Sequence, residues 1–240
     1  MKALKVLSTK KLSPQLIDKA EKENITIVEK DFILIQPIDG IKKYEEVSYW
    51  LKKENAVAIF TSINAVNIVA KFLEQSPYGK LTWKIYSIEG KTKEQLNKVF
   101  PGKDILTAGN AAELACKIVN DNIKEAVFFC GNKRMDDLPG ILKTNRVRVN
   151  EVIVYETIER PEKLNSEWDA ILFFSPSAVK SFFLMNAIEE KTLCFAIGET
   201  TANNIKRYTK NKILFSDFPS QEKMLMTMIN YYKNRGLKWN

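Results

Sequence analysis

The sequence predicts an α/β protein made of two parallel-sheet domains, joined by a two-stranded β linker, with the first domain discontinuous. Three observations predict it. Short β-rich runs alternate with stretches of helical spacing along most of the 240 residues, the rhythm of parallel strands covered by helices on both faces. Three strand–loop–helix phrases occur twice, in the same order. Two alternating segments have no partner in that repeat.

Taken in order, strands are predicted at Leu4–Leu7, Ile25–Val28, Phe32–Ile35, Ala56–Phe60, Lys84–Ile88, Asp104–Leu106 and Ala126–Phe129. A long one follows at Val147–Tyr155, then Ala170–Phe174, Leu193–Ile197 and Lys212–Phe215. Most intervals between them show helical spacing, as in Ala65–Glu74, Lys93–Phe100, Ala111–Asn120 and Ala178–Glu189. The Met- and Tyr-rich stretch Met224–Tyr232 is expected to pack as a core helix.

The repeat sets the domains. Ser62-Ile-Asn-Ala-Val66 returns 113 residues later as Ser175-Pro-Ser-Ala-Val179. Ile85-Tyr-Ser-Ile-Glu-Gly-Lys-Thr92 parallels Cys194-Phe-Ala-Ile-Gly-Glu-Thr-Thr201 at a spacing of 109, and Ile105-Leu106 parallels Ile213-Leu214 at 108. Slowly drifting offsets in a fixed order are the mark of two related α/β domains after small deletions. Both read as flavodoxin-like. The unpartnered segments, Phe32–Ile38 and Val147–Ile158, alternate as exposed or two-sided strands do. The expected division is residues 1–34 plus 160–240 for the first domain, 39–150 for the second, and 35–38 and 151–159 for the linker strands.

Bulk composition narrows the function. Hydrophobic content of 45% and charged content of 28% describe a soluble globular chain. No apolar run reaches membrane-spanning length, and the first residues lack a signal-peptide core, so a cytoplasmic enzyme or binding protein is expected. The +8 charge comes mainly from scattered lysines. It reads as a solvated basic surface or as a cleft for a polyanion. Without a clustered Lys/Arg run or an RNA-binding aromatic motif, nucleic acid is not an expected partner. Cys116, Cys130 and Cys194 form no CxxC pair and are expected as small core residues in a reducing compartment. No conspicuous apolar surface stripe appears, so a monomer is expected.

The chain has no histidine. That removes Ser-His-Asp triads, Cys-His dyads, HExxH zinc sites and any histidine base. With nine glycines and neither GxGxxG nor GxxxxGK[ST], dinucleotide and P-loop sites are also unsupported. Chemistry must then run on carboxylates, hydroxyls, amines, backbone dipoles or the reactivity of the substrate.

Ligands of parallel α/β sheets bind beyond the carboxyl ends of the strands. The loops there are Ser8–Lys10, Thr61-Ser62, Glu89–Thr92, Ser175–Ser177 and Gly198–Thr201, nearly all bearing hydroxyls. Each Ser or Thr has a plain role as an N-cap, and Pro176 suits the first helical position. Together they bring several helix N-termini, each with free N–H groups and a positive dipole end, to one region suited to carboxylates or phosphates.

These residues resemble the uroporphyrinogen-III synthase family. The resemblance is carried by Phe60-Thr-Ser-Ile-Asn-Ala-Val66, Val152-Ile-Val-Tyr-Glu-Thr157, Phe174-Ser-Pro-Ser-Ala-Val179 and Ala196-Ile-Gly-Glu-Thr-Thr-Ala202, in order along nearly the whole chain. It implies two α/β domains on a two-stranded ladder and a cofactor-free reaction. In that reaction the linear tetrapyrrole hydroxymethylbilane, with eight carboxylates, closes to uroporphyrinogen III with inversion of the last ring and loss of water. Tyr155 matches the tyrosine expected to assist departure of the hydroxyl. Thr92, Ser177, Thr200 and Thr201 match positions expected to hold carboxylates. Ser62 and Asn64 are the partner-domain equivalents of Ser175 and Ser177, and Thr61 and Lys10 complete the expected binding set. The resemblance also admits a transient contact with the upstream hydroxymethylbilane synthase.

Three positions depart from the family pattern. Lys10 stands where Arg is common, which keeps the charge but not the bidentate fork. Cys130-Gly131 replaces an Arg-Gly pair, and Glu89 replaces a glycine.

Overall fold

The computed structural model describes residues 3–75, 81–216 and 220–234. The path begins β1 (Leu4–Ser8), α1 (Pro14–Glu21), β2 (Ile25–Glu29), β3 (Ile33–Pro37), α2 (Ile41–Lys52) and β4 (Val57–Phe60). It continues α3 (Ile63–Glu74), β5 (Lys84–Ile88), α4 (Lys91–Val99), β6 (Ile105–Ala108), α5 (Ala111–Asn120), β7 (Glu125–Gly131) and α6 (Asp137–Thr144). It closes with β8 (Arg148–Glu159), β9 (Ala170–Phe173), α7 (Pro176–Phe183), β10 (Leu193–Ala196), α8 (Glu199–Ile205), β11 (Ile213–Phe215) and α9 (Gln221–Asn234). Asn24, Asn55 and Asn122 take positive φ where α1, α2 and α5 give way to the next strand. Asparagine tolerates that left-handed position better than most residues.

The chain divides into two compact units, Met1–Leu34 with Ile158–Asn240, and Ile35–Thr157. The first holds a five-stranded sheet, β11-β10-β9-β1-β2, parallel throughout. Alternation along its strands fills two cores. Val6, Ala170, Leu172 and Phe195 face α1 and α9, while Leu7, Ile171, Phe173 and Ala196 face α7 and α8. Burial on both sides is why these strands read as continuous apolar runs.

The second unit's sheet runs β3-β8-β7-β4-β5-β6. Ala58, Phe60, Val127 and Phe129 face α2, α3 and α4, whereas Ile59, Tyr86 and Phe128 face α5 and α6. Four of its pairings are parallel. Edge strand β3, which includes the expected linker strand 35–38, runs antiparallel to β8. Ile38 N–H donates to Val154 O, and Arg160 N–H donates to Phe32 O, so partner numbers fall on one strand as they rise on the other. β8 also does more than connect, because residues through Tyr155 extend the β7 ladder.

The two sheets share one order. Reading β7 and β8 in the second unit as counterparts of β1 and β2 in the first, the order β8-β7-β4-β5-β6 matches β2-β1-β9-β10-β11 strand for strand. The units are circular permutations of one another. The repeated phrases fall on β4–α3, β5–α4 and β6 in one, and on β9–α7, β10–α8 and β11 in the other.

Two expectations need correction. Cys116 is exposed, because α5 buries Leu114, Ala115 and Ile118 and leaves 116 on its outer side. Helix α7 stops at Phe183 rather than Glu189. Asn186 ends it by donating from Nδ2 to Phe182 O (2.9 Å) and to Glu162 O (2.7 Å), while its Oδ1 accepts from Leu164 N–H.

Candidate active site

In an open α/β sheet the crevice lies where strand order reverses. In the second unit that point falls between β4 and β7, since the chain runs outward through β5 and β6 and then returns to the other side of β4. The loop after β4 carries Thr61 and Ser62, and β7 ends at Gly131.

Tyr155 is delivered to this point by a β-bulge. Cys130 pairs with Ile153, but Gly131 pairs with Tyr155, leaving Val154 extra. A regular strand sends neighbours to opposite faces. Here Val154 and Tyr155 join the same core cluster, because the bulge has re-aimed the tyrosine. Its ring lies directly on the backbone of Gly131. A Cβ there would stand 2.4 Å from Cε2 and Cζ and 2.8 Å from the hydroxyl.

The Tyr155 hydroxyl lies 2.9 Å from Ser62 Oγ. Ser62 is the N-cap of α3, its Oγ accepting from Asn64 N–H at 3.2 Å. Tyr155 is 9% exposed. Burial pushes its phenol above the ordinary tyrosine value, and the Ser62 and Asn64 hydrogen bonds pull it partly back. The phenol is therefore protonated at neutral pH and can donate a hydrogen bond. Ser62, Asn64 and Tyr155, named separately by the sequence, thus form one cluster. Thr61 is half-buried beside Ser62. Thr92 sits apart on the first turn of α4 and is only 5% exposed.

The first unit presents its own set. Its switch point lies between β1 and β9. Thr9 is buried there and is spent on structure, since its Oγ1 donates to Leu172 O at 2.9 Å and accepts from Phe174 N–H at 3.2 Å. Lys10 is exposed. Ser175 caps α7 by accepting from Ala178 N–H at 3.1 Å, and Ser177 is half-buried on the first turn. Thr200 and Thr201 line a cavity of about 420 Å³ with Gly198, Glu199 and Phe215. Of the pair, Thr200 is exposed and Thr201 is turned inward.

Sequence reasoning did not assign a role to Gly131 or Asn132, which support Tyr155. The available signals were Cys130-Gly131, standing where the resemblance expects an Arg-Gly pair, and a Gly-Asn pair closing an apolar strand in a chain with few glycines. Among the described residues no His/Cys/Asp/Glu group is arranged to hold a metal ion, and no helix is long and apolar enough to cross a membrane.

This arrangement has relatives. The family model described as uroporphyrinogen-III synthase HemD matches residues 14–226. A curated relative, the uncharacterized protein RP474 of Rickettsia prowazekii (strain Madrid E), is 29% identical over 135 residues. That match takes in 56% of this chain and 44% of the relative, so the chain spans less than half of its length. Among solved structures, a mutant uroporphyrinogen III synthase from the extremely thermophilic bacterium Thermus thermophilus matches with a TM-score of 0.68 at 14% identity, covering 98% of this chain and 99% of that one. The uroporphyrinogen-III synthetase of Helicobacter pylori 26695 gives 0.65 at 17% identity, covering 95% and 99%. At these identities the structures speak for the fold, and the family model speaks for kinship: the chain belongs to the uroporphyrinogen-III synthase family.

Proposed function

We propose that this protein is a uroporphyrinogen-III synthase, a cyclising lyase of tetrapyrrole biosynthesis that closes hydroxymethylbilane to uroporphyrinogen III. The family match over residues 14–226 carries the reading. The Tyr155–Ser62 hydroxyl pair supports its chemical detail. The terminal carbon–oxygen bond breaks, the hydroxyl leaves as water with one proton, and the resulting cation is stabilised by its own pyrrole; ring closure then releases one proton from a pyrrole carbon, which balances the proton taken up. The protonated phenol of Tyr155 hydrogen-bonds the departing oxygen. The larger task is conformational: the bilane must be held so that the substituted ring carbon is attacked and the last ring inverts. Lys10, Thr61, Ser62, Asn64, Thr92, Ser175, Ser177, Thr200 and Thr201 supply cation, hydroxyl and amide donors for the eight carboxylates. Thr92 and Thr201 are turned inward, so their part falls to the backbone N–H groups of their helix first turns more than to their hydroxyls.

Purified protein supplied with hydroxymethylbilane is expected to yield the type III isomer by chromatography. Only the type I isomer, at the rate of spontaneous closure, would overturn the reading and leave a protein that at most binds the bilane.

A further inference from the structure

We propose that Asn132 is a positioning residue for Tyr155, acting from the turn that follows β7. The inference rests on the synthase reading above and extends it to a residue that need not touch substrate.

Beyond Gly131, β7 ends while β8 continues to Glu159. Past Tyr155, the last residue of β8 that pairs with β7, β8 is left without strand partners on that side. Asn132 supplies them. Its N–H donates to Tyr155 O at 3.1 Å, and its Oδ1 accepts from Thr157 N–H at 2.9 Å. The side-chain oxygen stands in for the backbone carbonyl the next strand residue would have offered, as asparagine does in local turns.

The turn itself is fixed. Arg134 N–H donates to Gly131 O at 3.2 Å, closing it. The Arg134 guanidinium then grips Glu151 on β8 with two hydrogen bonds, one of them 2.8 Å from Nη2 to Oε1. The turn is thus pinned to β8 on both sides of Tyr155, at Glu151 and at Thr157, and Gly131 offers the flat backbone on which the ring rests. Asn132 is itself exposed, so no core packing calls for an amide there. Its contacts fix where the tyrosine backbone, and hence the hydroxyl facing Ser62, is set down.

The test compares Asn132→Ala, which removes the acceptor, with Asn132→Asp, which keeps an oxygen in place. In Asn132→Ala, kcat for type III product is expected to fall about tenfold or more, with KM little changed, because small misplacements of a reacting group cost that much. Asn132→Asp is expected to restore most of it. In a Tyr155→Phe background, Asn132→Ala is expected to add no further loss. The ring-¹³C signal of Tyr155, assigned through Tyr155→Phe, is expected to shift in Asn132→Ala and to return in Asn132→Asp. An unmoved Tyr155 signal in Asn132→Ala, or losses that add fully with Tyr155→Phe, would overturn the proposal. If the wild-type protein makes no type III isomer, the synthase reading fails instead, and the Tyr155 signal alone then decides the positioning.

Discussion

The Tyr155 hydroxyl and Ser62 Oγ lie 2.9 Å apart, and the same serine oxygen caps α3 through Asn64 N–H. One hydroxyl thereby ties a bulged strand to a helix N-terminus. Tyr155→Phe keeps the ring on Gly131 and removes only the hydroxyl. A hydrogen bond to a charged or developing charged group is worth about 1.5–3 kcal/mol, so type III turnover should fall about ten- to a hundredfold. Stability should change by about 1 kcal/mol or less. The cyclisation assay and a thermal melt on the same sample check both.

Ser62→Ala should cost more stability than Tyr155→Phe, because it also strips α3 of its cap, a loss of about 1 kcal/mol. The Ser62 hydrogen bond now lowers the Tyr155 pKa against the raising effect of burial. Its removal should move the Tyr155 titration, followed by ¹³C NMR, to higher pH. Movement to lower pH would show that the serine does not hydrogen-bond the phenol in solution.

Gly131→Ala places a methyl group 2.4 Å from the tyrosine ring. The ring must move or the strand must shift, at a cost of about 1–3 kcal/mol for overpacking. Type III turnover should fall with it. Gly140→Ala is the control. Nothing lies within 4 Å of its Cβ position, and it sits within α6, where alanine is favoured over glycine by about 0.5–1 kcal/mol. Urea unfolding should show opposite signs for the two variants.

At Ser175, capping and substrate contact can be separated. Asp caps about as well as Ser and suits the positive end of the helix. Ser175→Asp should leave stability nearly unchanged, yet add a negative charge where the proposed ligand brings carboxylates. A raised KM with an unaltered melting temperature assigns Ser175 a place at the substrate. An unaltered KM leaves it a cap alone.

Away from the site, the Tyr86 hydroxyl donates to Asp121, whose carboxylate also pairs with Lys84 at 3.3 Å. The Tyr86 bond is the largest cause holding Asp121 below its ordinary value of 3.8. In acid the folded state therefore binds fewer protons than the unfolded chain, and stability is lost as pH falls through the depressed value. Burial first, then the Asp121 bond, pushes Tyr86 from 10.0 to about 12. Between those values the folded state keeps a proton that the unfolded chain releases, so stability falls as pH rises. Tyr86→Phe should flatten both limbs of a stability–pH profile measured by urea unfolding.

Much of this was legible in the chain. Buried parallel strands are apolar on both faces, so Ala170–Phe173 and Ala126–Phe129 stood out without a homologue to guide them. What was not legible depends on partners distant in sequence. The antiparallel setting of β3 is decided by where β8 lies. The early end of α7 is decided by Asn186 reaching back to residues 162 and 164. Tyr155 could be named from its motif. The bulge, Gly131 and Asn132 could not, because their roles exist only once β7 and β8 are in register.

The circular permutation of the two sheets bears on the order of synthesis. Strand β1 lies inside its sheet, yet its neighbour β9 is reached only 164 residues later, as the bond from Lys5 N–H to Asp169 marks. Until then β1 has only β2 beside it and an open edge, the condition that invites wrong pairings in slow, long-range folds. The intervening unit is contiguous and carries its sheet apart from the outer ends of β3 and β8. Folding it while the ribosome is still working draws residues 38 and 154 together, which shortens the closure left to the first unit from a long loop to a short one. The inserted domain acts as a clasp that brings the two halves of its host within reach.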